Sequence, residues 1–93
     1  MSESEKYSLT FSPTFVRAAR SVKRKNPGIV LELTSRFPKL VSNSELGKPL
    51  RHTLRNYRRM HVGGSFVLLY EIRAREVYLL DFDHHDKIYR KYS

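Results

Sequence analysis

Between Glu45 and Glu71 the chain carries no carboxylate, while Lys48, Arg51, Arg55, Arg58 and Arg59, together with His52 and His61, supply cations or groups that can become cations. A segment of that composition is suited to holding phosphates. Within it, Tyr57 to Val62 reads as a strand, and strand alternation puts Tyr57, Arg59 and His61 on one face and Arg58, Met60 and Val62 on the other. An arginine and a histidine two residues apart set a fixed charge beside a titratable imidazole. Such a pair can neutralise a phosphate and move a proton. An exposed polar sheet face fits the same pattern.

A second cluster, Asp81-Phe82-Asp83-His84-His85-Asp86, is followed by Lys87 and Tyr89. If the strand before it ran on, Asp81, Asp83 and His85 would share a face, the makings of a carboxylate-histidine metal site. No HExxH or other spaced signature supports that reading, and metal ligation is not expected. The plainer alternative has Asp83 capping the terminal segment, with His85 and Tyr89 facing a shared cleft. A glycine-rich phosphate loop, a GxSxG elbow and zinc-ligand spacing are all missing, which disfavours nucleotide hydrolysis, serine hydrolase chemistry and zinc catalysis.

The elements that must position these residues follow from periodicity. Tyr7 to Phe11 alternates as a half-buried strand. Ser12-Pro13 is an N-cap and first-turn pair, after which Phe15, Val16, Ala19 and Val22 recur at helical spacing. Arg17, Arg20, Lys23 and Arg24 form the opposite, solvated side, suited to the helix dipole at its C-terminal end. Asn26-Pro27-Gly28 breaks this helix and opens a second one, with Ile29, Val30, Leu33 and Phe37 inward and Pro38 ending or kinking it near Arg36. The two helices form a hairpin, and a polar connection from Ser42 to Lys48 follows. Tyr57 to Val62, Phe66 to Ile72 and Arg75 to Phe82 are then consecutive strands, turning at Gly63-Gly64-Ser65 and at Arg73-Ala74. His84 to Tyr92 forms a short terminal helix or an irregular tail. This order predicts an α+β fold: an N-terminal strand and a helical hairpin packed on a mostly antiparallel four-stranded sheet.

Ninety-three residues suffice for one domain, here residues 1–93, but not for two cores. Eighteen lysines and arginines against nine acidic residues give a net charge of +9, which favours a polyanionic partner. With no cysteine there is no disulfide framework, thiolate zinc site or cysteine nucleophile. The N-terminus lacks an apolar leader region and the longest apolar run, Phe66 to Tyr70, is too short to span a bilayer, so the expected location is the cytoplasm.

The succession GKPLRHTL, NYRRMHVGG, FVLLYEI and DHHDKIY resembles, in order and spacing, the small toxins of the RelE/ParE superfamily of toxin-antitoxin pairs, over nearly the whole chain. The family pattern of basic, apolar, basic, Val falls on Arg59, Met60, His61 and Val62, its Gly-x-Pro-Leu loop on Gly47 to Leu50, and its terminal aromatic on Tyr89. The resemblance implies a metal-independent endoribonuclease without cofactor, cutting mRNA on the ribosome by attack of the RNA 2′-OH on the adjacent phosphate. Arg59 would be the phosphate clamp, His61 a base or second cation, and Tyr89 a stacking or proton-transfer group, with His85 in the same cleft. Lys48, Arg51, Arg55, Arg58 and Lys87 would bind RNA. The partners implied are the ribosome-bound mRNA and a cognate antitoxin in a hetero-oligomer. The sequence departs from the pattern twice: Phe66 is followed by Val67 where the family often has Arg, and His84-His85 stands for a His-Arg pair. The superfamily also includes gyrase inhibitors that are not nucleases, and a basic nucleic-acid-binding module that has lost activity is a third alternative.

Overall fold

The computed structural model describes residues 7–42, 48–49 and 57–92. Strand β1 (Ser8–Phe11) leads into helix α1 (Pro13–Lys25), then α2 (Pro27–Ser35) and the short α3 (Phe37–Ser42). A two-residue strand β2 (Lys48–Pro49) precedes β3 (Tyr57–Val62), β4 (Phe66–Arg73) and β5 (Glu76–His84), and helix α4 (His85–Tyr92) closes the chain. The four expected strands form one sheet that the short β2 extends at its edge, in the order β1-β5-β4-β3-β2. β1 runs parallel to β5; the other pairings are antiparallel.

The helices begin and end where local chemistry dictates. The Ser12 hydroxyl accepts from the Phe15 N–H at 3.0 Å, capping α1 ahead of Pro13. Asn26 closes α1 by donating its N–H to the Val22 carbonyl and opens α2 by accepting from the Ile29 N–H. The stop expected near Arg36 falls there: α2 ends at Ser35 with Arg36 as its C-cap, so Phe37 belongs to α3 instead of the α2 stripe. The terminal segment, open between helix and tail from sequence, is helical.

The main core lies between the sheet and α1 to α3. Phe15, Val22, Leu33 and Leu40 pack there against Met60, Val62, Leu68, Tyr70, Val77, Leu79 and Phe82. Strand residues of opposite parity, Val67 and Leu69, are also fully buried but lie outside that cluster, on the face toward α4, whose Ile88 is buried as well. The continuously apolar run of β4 thus reflects a central strand covered on both faces. The β3–β4 turn needs its glycines, since Gly63 and Gly64 have φ of 63° and 84°. A Cβ on Gly63 would come within 2.4 Å of Ile29 Cδ1, so the turn sits directly under α2.

One register shift interrupts the β4–β5 ladder: Leu69 pairs with Asp81 but Tyr70 with Leu79, leaving Leu80 as a bulge. Ser12 anchors α1 here, its N–H donating to the Leu79 carbonyl and its hydroxyl to the Leu80 carbonyl, both at 2.9 Å. Because Ser12 both caps the helix and ties it to the sheet, Ser12→Ala should lower unfolding stability by about 1–2 kcal/mol, read from denaturant midpoints at unchanged m-value. Ala74 tests backbone strain separately, since it holds φ of 51° in the β4–β5 turn. Ala74→Gly should raise stability by about 0.5–1 kcal/mol, the relief of left-handed strain exceeding the added freedom of the unfolded chain.

Candidate functional site

The alternation of β3 is as the sequence suggests. Met60 and Val62 enter the helical core, leaving Arg59 and His61 on the opposite face. Across the sheet on that face, Arg59 stands opposite Leu69 and Leu69 opposite Asp81, while His61 stands opposite Val67 and Val67 opposite Asp83. Lys48 occupies the register position facing Arg59 on its other side. Arg58 belongs to the other side of the sheet and is not brought to Arg59.

Helix α4 supplies the other half of the site. Its Ile88 points into the sheet, which leaves Tyr89 41 % exposed. The Arg59 guanidinium carbon lies 5.8 Å from the centre of the Tyr89 ring, within cation–π range. The Tyr89 ring lies 6.0 Å from that of His85, and His85 stacks on His84 at 4.6 Å. His85 Nδ1 is 2.9 Å from Asp86 Oδ1. A carboxylate there favours a proton on Nδ1 and leaves Nε2 to accept or deliver one. The Arg59 Nε is buried with no hydrogen-bond partner among the described residues. A buried donor left without a partner costs about 1–3 kcal/mol.

Of the sequence-derived candidates, Arg59, His85 and Tyr89 come together. His61 is exposed on the same face, two residues along β3. Lys87 is exposed and lines a different cleft, with Lys25 of α1 and its C-cap Asn26. Arg51 and Arg55 lie outside the described residues, as does the side chain of Lys48. The missing arginine after Phe66 is explained by burial: Val67 has no exposure at all, and a guanidinium there would have to replace core.

The shared face imagined for Asp81, Asp83 and His85 holds only for the two aspartates, because β5 stops at His84 and His85 opens α4. Asp83 Oδ1 accepts from the His84 N–H, and His84 Nδ1 in turn accepts from the Asp86 N–H. Among the described residues the grouping with metal-ligand character is instead His84, His85 and Asp86, with ligand atoms within 4.8 Å of one another.

The residues that sequence reasoning missed hold α4 in place. Asp81 is fully buried; its Oδ2 accepts from Lys91 Nζ and from the Tyr92 hydroxyl, each at 2.8 Å, and its Oδ1 from the Phe82 N–H. Burial first, then the hydrogen bond to Asp81, pushes the Tyr92 hydroxyl well above its ordinary pKa of 10.0. The available signal was a lone carboxylate inside the apolar strand VYLLDF, which demands a partner.

The comparisons with known proteins bear on this geometry. Residues 9–89 match the family model of the ParE toxin of type II toxin-antitoxin systems, parDE. The chain belongs to that family, within the RelE/ParE superfamily of toxins. A Methanocaldococcus jannaschii protein named as a candidate toxin, RelE4, is 28% identical over 87 residues, covering 91% of this chain and 93% of the relative. The toxin in the crystal structure of the RelBE2 toxin-antitoxin complex from Mycobacterium tuberculosis superposes with a TM-score of 0.73 at 28% identity, over 85% of this chain and 98% of that one. YafQ in the Escherichia coli DinJ-YafQ complex shares the fold at a TM-score of 0.78 and 16% identity, over 90% and 99% of the two chains.

In this toxin, loss of the Asp81 clamp should loosen α4 before the sheet. Asp81→Asn and Tyr92→Phe should each speed hydrogen exchange of the α4 amides while leaving the β4 amides protected. Since the folded Tyr92 keeps its proton above the unfolded value, its stabilisation is complete below pH 10 and declines as pH rises beyond it. Tyr92→Phe should flatten that alkaline decline in urea midpoints.

Proposed function

We propose that the toxin is a metal-independent endoribonuclease that cuts mRNA on the ribosome and so stops translation. The observation that supports this most is the Arg59 guanidinium held against Tyr89 beside His85, with a buried Nε–H that has no acceptor among the described residues. A guanidinium fits phosphate oxygens. In the reaction the ribose 2′-oxygen bonds to the adjacent phosphorus as the bond to the 5′-oxygen breaks, leaving a 2′,3′-cyclic phosphate and a 5′-hydroxyl. His85 Nε2 takes the proton from the 2′-OH, with Asp86 steadying the imidazolium that forms. In this reading the Tyr89 hydroxyl protonates the departing 5′-oxygen, and His61 adds a second cation farther along the strand. Arg59 offsets the charge that builds on the phosphoryl oxygens, the largest contribution a site of this kind can make. Two cations fewer than the family pattern implies a slower enzyme, each absent group being worth about 2–4 kcal/mol where preorganised.

A second reading, inhibition of DNA gyrase without nuclease activity, is favoured by the family model being that of ParE and by Val67 standing where a cation is often found. Pulse labelling after expression of the toxin alone separates the two. Early loss of methionine incorporation with normal supercoiling supports the nuclease, and early arrest of DNA synthesis supports gyrase inhibition.

The partner that restrains the toxin is a cognate antitoxin, as in the RelBE2 and DinJ-YafQ complexes. With a net charge of +9 on the toxin, an acidic amphipathic segment that folds on binding is the chemistry expected to cover the basic face, with affinity falling as salt rises.

For cleavage itself, folded Arg59→Ala should cut ribosome-bound mRNA about 100-fold or more slowly than wild type, with melting temperature as the folding control. His85→Ala should follow it closely and His61→Ala should cost less, while Tyr89→Phe removes proton transfer but keeps the ring under Arg59. Full cleavage by Arg59→Ala would reduce this face to a solvated strand surface.

A further inference from the structure

At the end of the sheet where β5 passes into α4, a cleft of about 190 Å³ opens between α1 and α4. Lys25 and Asn26 line it from the end of α1, Lys87 from α4, and Phe66 and His84 from the strands. These groups are far apart in sequence and converge only through the fold. Asp83 is the carboxylate among the lining residues, and its Oδ1 is engaged by the His84 N–H. The cleft therefore offers two ammonium groups, an amide and an imidazole against one partly satisfied acid.

The cleft is not isolated from the Arg59 site. A file of rings joins them: Tyr89 to His85 at 6.0 Å, His85 to His84 at 4.6 Å, and the edge of His84 to Phe66 at 5.8 Å. Arg59 stands at one end and the two lysines at the other. Cations that track a backbone, with rings between them on which bases lie, are what binds single-stranded nucleic acid without regard to sequence. We propose that the Lys25–Lys87 cleft is a second subsite for single-stranded RNA, holding the backbone phosphate of a nucleotide beyond those at Arg59, with its base against His84 and Phe66. The subsite rests on the RNA reading of the toxin and extends it from the reacting phosphate to the strand's path over the surface. Lys87 thereby acquires a place: remote from the bond that is cut, but on the line the RNA follows.

The test is equilibrium binding of the full-length toxin, by fluorescence anisotropy at low salt, to a 2′-O-methyl single-stranded RNA of about eight nucleotides. That probe lacks the attacking hydroxyl and is not consumed. A dinucleotide of the same chemistry reports on the Arg59 end alone. Lys25→Ala with Lys87→Ala should weaken the longer probe about tenfold, reduce the slope of log K against log salt by about 0.7, as for one phosphate, and leave the dinucleotide unchanged. Lys25→Arg with Lys87→Arg should keep wild-type binding. Arg17→Ala with Arg20→Ala removes the same charge from the exposed side of α1 and should change binding less than twofold. Equal losses from the two alanine pairs would mean that only overall charge matters, and would overturn the subsite, as would no loss from the lysine pair or no binding by the wild type. Cleavage plays no part in this measurement. A toxin that binds as expected but cuts no ribosomal mRNA would sink the nuclease reading and leave the subsite standing.

Discussion

The contact between buried Asp81 and the end of α4 is the one on which the grouping of Arg59, Tyr89 and His85 depends. Helix α4 has only eight residues, too few to be stable alone, and few of its side chains are buried. What holds it is Ile88 on the sheet and the Asp81 carboxylate, which takes a hydroxyl from Tyr92 and an ammonium from Lys91. A carboxylate with no exposure would be strongly destabilising without such partners, so helix and sheet are coupled by mutual need. Tyr89 reaches Arg59, and His85 stands beside Tyr89, only while that coupling lasts. The acid belongs to the scaffold, although it stands two strands over from Arg59 on the same face.

A basic site assembled in this way has an internal tension. Arg59 sits at the half-buried middle of a strand, and its neighbour on β4 is Leu69, with Asp81 beyond on β5. If Asp81 were free, its negative field would reach the face that carries Arg59 and oppose any anion placed there. Pairing it with Lys91 removes much of that field while using a cation that is itself half exposed. The toxin thus keeps an acid in its fold without giving it to the site. Asp86 differs from it in being exposed and in facing His85 Nδ1 directly.

Much of the scaffold could be read from the sequence because it rests on local signals. Ser12-Pro13, Asn26-Pro27 and Gly63-Gly64 mark boundaries by backbone chemistry alone, and the structure places them at boundaries. The alternation of β3 also survived, since Met60 and Val62 must be buried and parity then fixes Arg59 and His61. Non-local features were hidden. Nothing near Lys87 indicates that it meets Lys25 across a cleft, and the pairing of Asp81 with Lys91 and Tyr92 needs a helix that sequence left open. The Asp81–Asp83–His85 face failed at its last member because the strand turned into a helix one residue earlier, a boundary that no glycine or proline announces. Of the proposed RNA contacts, Arg51 and Arg55 lie outside the described residues, and Arg58 was set on the far side by the same parity that placed Arg59.

The bulge at Leu80 has an architectural consequence. An uninterrupted ladder would commit successive carbonyls of β5 to neighbouring strands, whereas the extra residue leaves one polar group out of the pairing. That released carbonyl is the one the Ser12 hydroxyl finds, beside the Leu79 carbonyl that receives the Ser12 N–H. The defect in the strand is therefore the socket into which the first helix is keyed. Downstream of it, the strand's facing is reset by one step, so that Phe82 returns to the helical core and Asp83 follows Asp81 toward α4. A single surplus residue thus serves as a phase adjuster between two halves of one strand: the earlier half is in step with the helical layer, the later half with the site. Shortening the chain there would leave every side chain's chemistry intact and take away the fixed point from which the two layers are indexed.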